Sequence, residues 1–271
     1  MANGAGFLET NGARIYYEVE GTGEPVVLIH AGVANLRMWD EQVPALRDSY
    51  RIIRYDTRGF GRTETDAVEF SNRADIAALL DHLGERSAHV VGFSRAGSIA
   101  LDFALEYPER VRSLVIGAGG ISGYESTDEA PPETFEAADK LYEARDWAGL
   151  AEWEADYWAN GPGQPADRAP EVRAKVHGWV LENYLAEKVE GTPIVLDPPA
   201  AGRLDEIRVP LLAILGTVDD AGTSGSMRHL ADSVPGARLE VFEGAAHMLN
   251  LEQPKRFNRL LRAFLDEVRA R

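Results

Sequence analysis

"HVVGFSRAGSIALDFALEYPERV", residues 89–111, decides how this chain folds. Residues 89–93 form a short apolar run of the kind that makes a buried strand, and the pattern from residue 95 onward is helical. Ser94 stands alone at the junction, with Gly92 before it and Ala96 and Gly97 after it. A strand that turns into a helix within one residue brings two backbones close together, so its neighbours must be small. The corner residue is then held in a strained conformation with its side chain exposed.

Working outward, the same alternation recurs. "RIYYEVE", "VVLIH", "YRIIRYD", "VRSLVIGA", "PLLAILG" and "ARLEVFEG" read as further strands. "MWDEQVPALRD", "SNRADIAALLDHLGE", "SGSMRHLADSV" and "QPKRFNRLLRAFLDEVRAR" read as helices between or after them. Strands alternating with helices predict a mostly parallel sheet of about eight strands, covered on both faces. One stretch breaks the rhythm: from about residue 122 to 203 the patterns are helical with no clear strand, and it carries Trp147, Trp153, Trp158 and Trp179, four of the five tryptophans. The expected organisation is a core of residues 1–120 and 206–271, with a helical cap, residues 121–205, over the sheet's carboxyl edge. Ligands bind at that edge in open α/β sheets.

Composition narrows the partners. The 271 residues are 45% hydrophobic and 27% charged, with a formal net charge of −16. Residues 121–206 hold 19 acidic and 7 basic side chains, a net −12, which leaves −4 for the rest. This balance argues against nucleic acid and anionic membrane surfaces. No apolar run is long enough for a transmembrane helix. The opening "MANGAGFLETNG" lacks the basic and apolar regions of a secretory signal, and there is no cysteine; a cytoplasmic location is expected. Without H-x-x-x-H, a cysteine pair or a Gly-rich phosphate loop, no metal and no cofactor is expected. A monomer or homodimer is expected.

The chemistry starts at Ser94. G-x-S-x-G is the nucleophile-elbow pattern, here Gly92-Phe93-Ser94-Arg95-Ala96 with alanine for the second glycine. The helix N-terminus beyond it favours negative charge developing nearby. A serine nucleophile needs a base, and the base an orienting acid. Past the strand "PLLAILG" stand Asp219 and Asp220. Past "ARLEVFEG", before the last helix, stands His247. Asp219 is the favoured acid, leaving Asp220 to face solvent or cap the next helix. His82, His89 and His229 read as surface or packing residues, and His177 as structural. Oxyanion donors are expected from the backbone N–H of Arg95 and of Gly32, with Val33 the nearest rival. His30 reads as a residue that hydrogen-bonds its own loop. Val33, Trp158 and Met248 are the expected substrate contacts.

The chain resembles the α/β-hydrolases over nearly its whole length. "HAG" at residues 30–32 is similar to their H-G-x oxyanion loop, and "YDTRGFGRT" at 55–63 to their D-x-R-G-x-G-x-S turn. "GFSRAG" resembles their elbow, and "GAAHMLNLEQP" their histidine segment. The resemblance implies an α/β-hydrolase fold with Ser94 as nucleophile, Asp219 as acid and His247 as base. It also disfavours the aspartate-nucleophile branches, haloalkane dehalogenases and epoxide hydrolases. "LRMWDEQVPAL", "YRIIRYDTRG", "LLDHL" and "AAHMLNLEQP" are similar to 3-oxoadipate enol-lactonases.

The expected activity is therefore hydrolysis of carboxylic esters through an acyl-enzyme. Lactone opening, C–C bond hydrolysis and perhydrolysis are alternatives on the same residues, and a non-catalytic ligand receptor is the alternative outside catalysis. An aromatic, acidic cap suits a neutral, moderately apolar ester or lactone.

Overall fold

The computed structural model describes residues 3–126 and 131–271. Eight strands build the sheet: β1 (Gly4–Thr10), β2 (Ala13–Glu20), β3 (Glu24–Ile29), β4 (Tyr50–Tyr55), β5 (Ala88–Phe93), β6 (Val111–Gly117), β7 (Leu211–Gly216) and β8 (Arg238–Phe242). They lie in the order β1-β2-β4-β3-β5-β6-β7-β8, and a ninth, Glu64–Thr65, pairs with β2. The two pairings of β2 with its long neighbours are antiparallel. From β4 to β8 every pairing is parallel, so those strands end at one common edge.

Nine helices accompany them among the described residues: α1 (Val43–Leu46), α2 (Asn72–His82), α3 (Arg95–Glu106), α4 (Glu136–Glu143), α5 (Trp147–Ala155), α6 (Pro170–Leu185), α7 (Ala221–Ser233), α8 (Leu249–Glu252) and α9 (Pro254–Arg269). Every residue of β4, β5 and β7 is buried, so apolar side chains occupy both faces, with Arg51, Arg54 and His89 as hydrogen-bonded exceptions. Val90 of β5 joins the core under α2, α3 and α7, while its neighbour Val91 joins the core under α1 and α9. Ala151, Ala155, Val176 and Val180, from α5 and α6, enter the second core. The helical stretch between β6 and β7 is thus packed on the body of the molecule. No described helix is long and apolar enough to cross a membrane.

Three details depart from the sequence reading. β1 was not expected; only Leu8 of its seven residues is buried, so no hydrophobic face marks it. Within the helical stretch, Thr192–Pro193 pairs in parallel with Glu69–Phe70. "MWDEQVPALRD" is not one helix but a 3₁₀ turn, Leu36–Trp39, followed by the single turn α1.

Candidate active site

The elbow takes the form its residues allow. Ser94 links β5 to α3 at φ 56° and ψ −125°, a conformation costly to a side chain and sustained only by what surrounds it. Its N–H donates to the Gly117 carbonyl of β6 at 2.9 Å, and its own carbonyl accepts from Gly97 N at 2.8 Å. A Cβ on Gly92 would lie 2.2 Å from the Ala96 carbonyl oxygen, and one on Gly97 would lie 2.7 Å from Gly119 Cα. Ala96 itself is fully buried without such a clash, so alanine suffices where the pattern has its second glycine.

Two loops from distant parts of the chain meet Ser94 at the carboxyl edge. After β7, Asp219 accepts from His247 Nδ1, with both carboxylate oxygens at 3.0 Å. His247 Nε2 lies 2.7 Å from Ser94 Oγ. Because Asp219 accepts at Nδ1, the ring proton sits there, and Nε2 presents its lone pair to the serine hydroxyl. Both side chains are almost wholly buried, at 3% and 1% exposure, so water cannot compete for these bonds. The loop before His247 packs on Gly216, where a Cβ would meet the Ala245 carbonyl at 2.3 Å. Glu252 braces it, accepting from Ala246 N at 2.7 Å and pairing with Arg168 at 2.8 Å. Asp220 instead caps α7, accepting from Thr223 N at 3.1 Å, and also accepts from the Tyr157 hydroxyl at 2.6 Å.

Opposite the histidine lies the loop after β3. Among the described residues, the backbone N–H groups of Gly32, Val33 and Arg95 have no protein acceptor, so they are free for a ligand's oxygen. His30 holds the loop: Nδ1–H donates to the Ala31 carbonyl at 2.8 Å, and Nε2 accepts from Thr57 N at 3.0 Å. Burial, aided by the charge of Arg95, pushes its pKa down to about 3, so it stays a neutral strut. Thr57 begins a turn built on Asp56, which accepts from Leu36 N and Arg62 N at 2.8 and 2.7 Å. Gly61 (φ 50°) is indispensable there, since a Cβ would fall 2.1 Å from the Asp56 carboxylate. Arg58 makes a bidentate bond to Asp75, both contacts at 2.8 Å.

A cavity of about 870 Å³ opens beside this loop. Gly32, Phe60 and Arg95 line it from the core; Trp147, Glu154, Val180, Asn183, Tyr184 and Lys188 line it from the helical stretch. The expected substrate contacts are not on this wall. Trp158 lies against the His247 ring, centroids 4.4 Å apart. Met248 is fully buried in the core and Val33 is 9% exposed within it. Sequence reading missed Lys188, Asn183 and Glu154. Lys188 Nζ donates to the carbonyls of Phe60, Gly61 and Thr63 at 2.9, 2.5 and 2.8 Å. Asn183 bonds Ala34 O and Gly61 N. Burial raises the Glu154 carboxyl pKa, which the Tyr184 hydroxyl at 3.0 Å partly counters. Polar residues on a helical stretch give no signal of facing inward. No described group of three or more metal-ligand side chains is placed to hold an ion.

A family model for the alpha/beta hydrolase fold matches residues 24–254. The chain belongs to the α/β-hydrolase family. Rhodomycin D methylesterase DauP of Streptomyces sp. (strain C5) is 31% identical, covering 86% of this chain and 89% of that protein. 3-Oxoadipate enol-lactonase 2 of Acinetobacter baylyi is 27% identical over 85% and 84% of the two chains. Among solved structures, Est816, described as an N-acyl homoserine lactone degrading enzyme, is 29% identical with a TM-score of 0.75, covering 95% of this chain and 99% of its own. This α/β-hydrolase is thus a hydrolase with esterase and lactonase relatives, and its elbow, its Asp56 turn and its histidine loop are the parts in which the sequence resemblance was visible.

Proposed function

We propose that this α/β-hydrolase cleaves carboxylic esters with Ser94 as nucleophile, His247 as general base and acid, and Asp219 as the group that holds the imidazole. The observation that carries the reading is the unbroken relay from the Asp219 carboxylate through both ring nitrogens of His247 to Ser94 Oγ. It ends on a serine whose backbone conformation only the elbow sustains.

In the first half-reaction, His247 Nε2 takes the Ser94 proton as Oγ bonds to the ester carbonyl carbon. The carbonyl oxygen becomes an oxyanion, held by the N–H of Arg95 and of Gly32, or of Val33 beside it. The C–O bond to the alcohol breaks as His247 returns the proton to that oxygen. Water, deprotonated by His247, then attacks the acyl carbon and restores Ser94. Asp219 keeps the ring in the working tautomer and stabilises the imidazolium. Residues 121–205 serve as a cap that walls the acyl side. Lactones are a second class for the same steps, supported by the enol-lactonase and lactone-degrading relatives.

Ser94→Ala tests this. The account expects hydrolysis of p-nitrophenyl butyrate to fall by about 10⁴- to 10⁶-fold with the fold unchanged. A variant that keeps most of its activity refutes the nucleophile.

A further inference from the structure

The four buried arginines of the core, Arg51, Arg54, Arg58 and Arg73, each pair with a carboxylate: Glu85, Glu18, Asp75 and Glu106 respectively. Arg95 breaks that pattern. Its Nη2 donates to Thr57 Oγ1 at 2.7 Å, and its guanidinium carbon lies 4.7 Å from the Phe60 ring centre. Among the described residues it has no ion pair, and its Nε is buried without an acceptor. A half-buried guanidinium with a buried, unpartnered Nε and no counter-ion is costly unless something else supplies the anion. Burial already holds its pKa down to about 10, which leaves it charged at neutral pH.

Position gives the anion's source. Arg95 lines the 870 Å³ cavity beside Gly32, and its side chain passes close to where a Gly32 Cβ would stand, at 3.7 Å. Lys188, whose three contacts are all to carbonyl oxygens, adds a second positive charge to the same wall. The acidic residues of that wall are distributed differently. Glu143, Glu187 and Glu190 are exposed at the rim, and Glu154 accepts from Tyr184. Neither Ser94 nor His247 is among the lining residues. The cavity meets the site through Gly32 and Arg95, whose backbone N–H groups would hold the oxyanion. On that side, opposite the alcohol that His247 would protonate, we place the acyl group.

We infer that the Arg95 guanidinium binds a carboxylate carried by the acyl part of the substrate, so that half-esters or lactones of dicarboxylic acids are preferred over neutral esters. The inference rests on Ser94 being the nucleophile, and it reverses the neutral preference that the net charge of residues 121–206 suggests. Charge-assisted hydrogen bonds are worth enough to set such a preference, whereas most of the segment's acidic side chains lie in water.

The test uses p-nitrophenyl half-esters of the dicarboxylic acids from glutarate to pimelate, each beside its ω-amide isostere, with uncatalysed hydrolysis subtracted. For the wild-type enzyme, kcat/KM for the best half-ester is expected to exceed that of its amide by roughly 10- to 100-fold, mainly through KM. In Arg95→Met the ratio should fall to near unity, and Arg95→Lys should restore part of it. Fluorophosphonate labelling of Ser94 in each variant shows that the elbow is intact. Equal wild-type rates for half-ester and amide overturn the inference whether or not the variants fold, and so does an unchanged ratio in a labelled Arg95→Met. A wild-type protein that is neither labelled nor active on any ester fails the serine-hydrolase reading itself.

Discussion

The elbow at the sheet's carboxyl edge and the helical stretch above it are held by different physics. At the elbow, backbone packs on backbone: Gly92, Gly97 and Gly216 each stand where a Cβ would meet main-chain atoms at 2.7 Å or less. Nothing there can shift without moving a strand. The helical stretch is instead fastened to the core mainly by side chains, among them Lys188 over the Asp56 turn, Asn183 on Ala34 and Gly61, Arg168 on Glu252 and Tyr157 on Asp220. A framework of close backbone contacts keeps Ser94, His247 and Asp219 in register. A surface of exchangeable side chains can change what the neighbouring cavity admits while leaving that register alone.

The largest loss of activity is expected inside the relay. Asp219→Asn preserves shape but loses the negative charge and gains an amide N–H that can donate to Nδ1 and reverse the ring tautomer, so kcat is expected to fall by about 10⁴-fold at neutral pH. Steady-state hydrolysis of a p-nitrophenyl ester measures this, and a loss of less than about tenfold would mean that Asp219 is not the group that orients His247. Next comes the framework. Gly92→Val puts a side chain onto the Ala96 carbonyl, and the account expects destabilisation of about 3 kcal/mol or more by urea titration. A variant as stable as the wild type would mean that the elbow is looser than its contacts imply.

The smallest effect belongs to the helical stretch. Glu154 has its pKa raised by burial above the ordinary 4.5, so the native state holds a proton that the unfolded chain gives up. Its contribution is favourable below about pH 4.5 and is lost as pH rises through the raised value. Glu154→Gln, which keeps an acceptor for Tyr184, should raise Tm at about pH 8 and leave it unchanged at about pH 4. Thermal melts at the two pH values decide it; an equal shift at both would trace the effect to packing.

Legibility in the sequence followed the same division. The central parallel strands were visible because burial on both faces makes them largely apolar, and Ser94 and Asp219 were visible because each follows such a strand. His247 was visible because it follows β8, whose alternating RLEVF reads as a strand although only Phe242 of it is buried. β1 was not, since an edge strand with one buried residue has no pattern. Its signal lay instead in Asn11-Gly12, whose φ values of 36° and 68° are those of a tight hairpin turn. Arg95 was legible for its backbone N–H, but the missing counter-ion on its side chain depends on which loops surround it. The cavity wall drawn from residues 142–193 was hidden for a related reason. Met248 stands beside the histidine in sequence and Trp158 among the tryptophans of the helical stretch, whereas the lining comes from Lys188 and Asn183, which touch the core only through folding.

The central claim is that Ser94 is an activated nucleophile, and covalent labelling reads that out without any assumption about substrate. Wild-type protein treated with a fluorophosphonate and analysed by peptide mass spectrometry is expected to carry one adduct, on Ser94, and His247→Ala to lose it. A folded wild-type protein that stays unmodified, or is modified at another residue, would contradict the account.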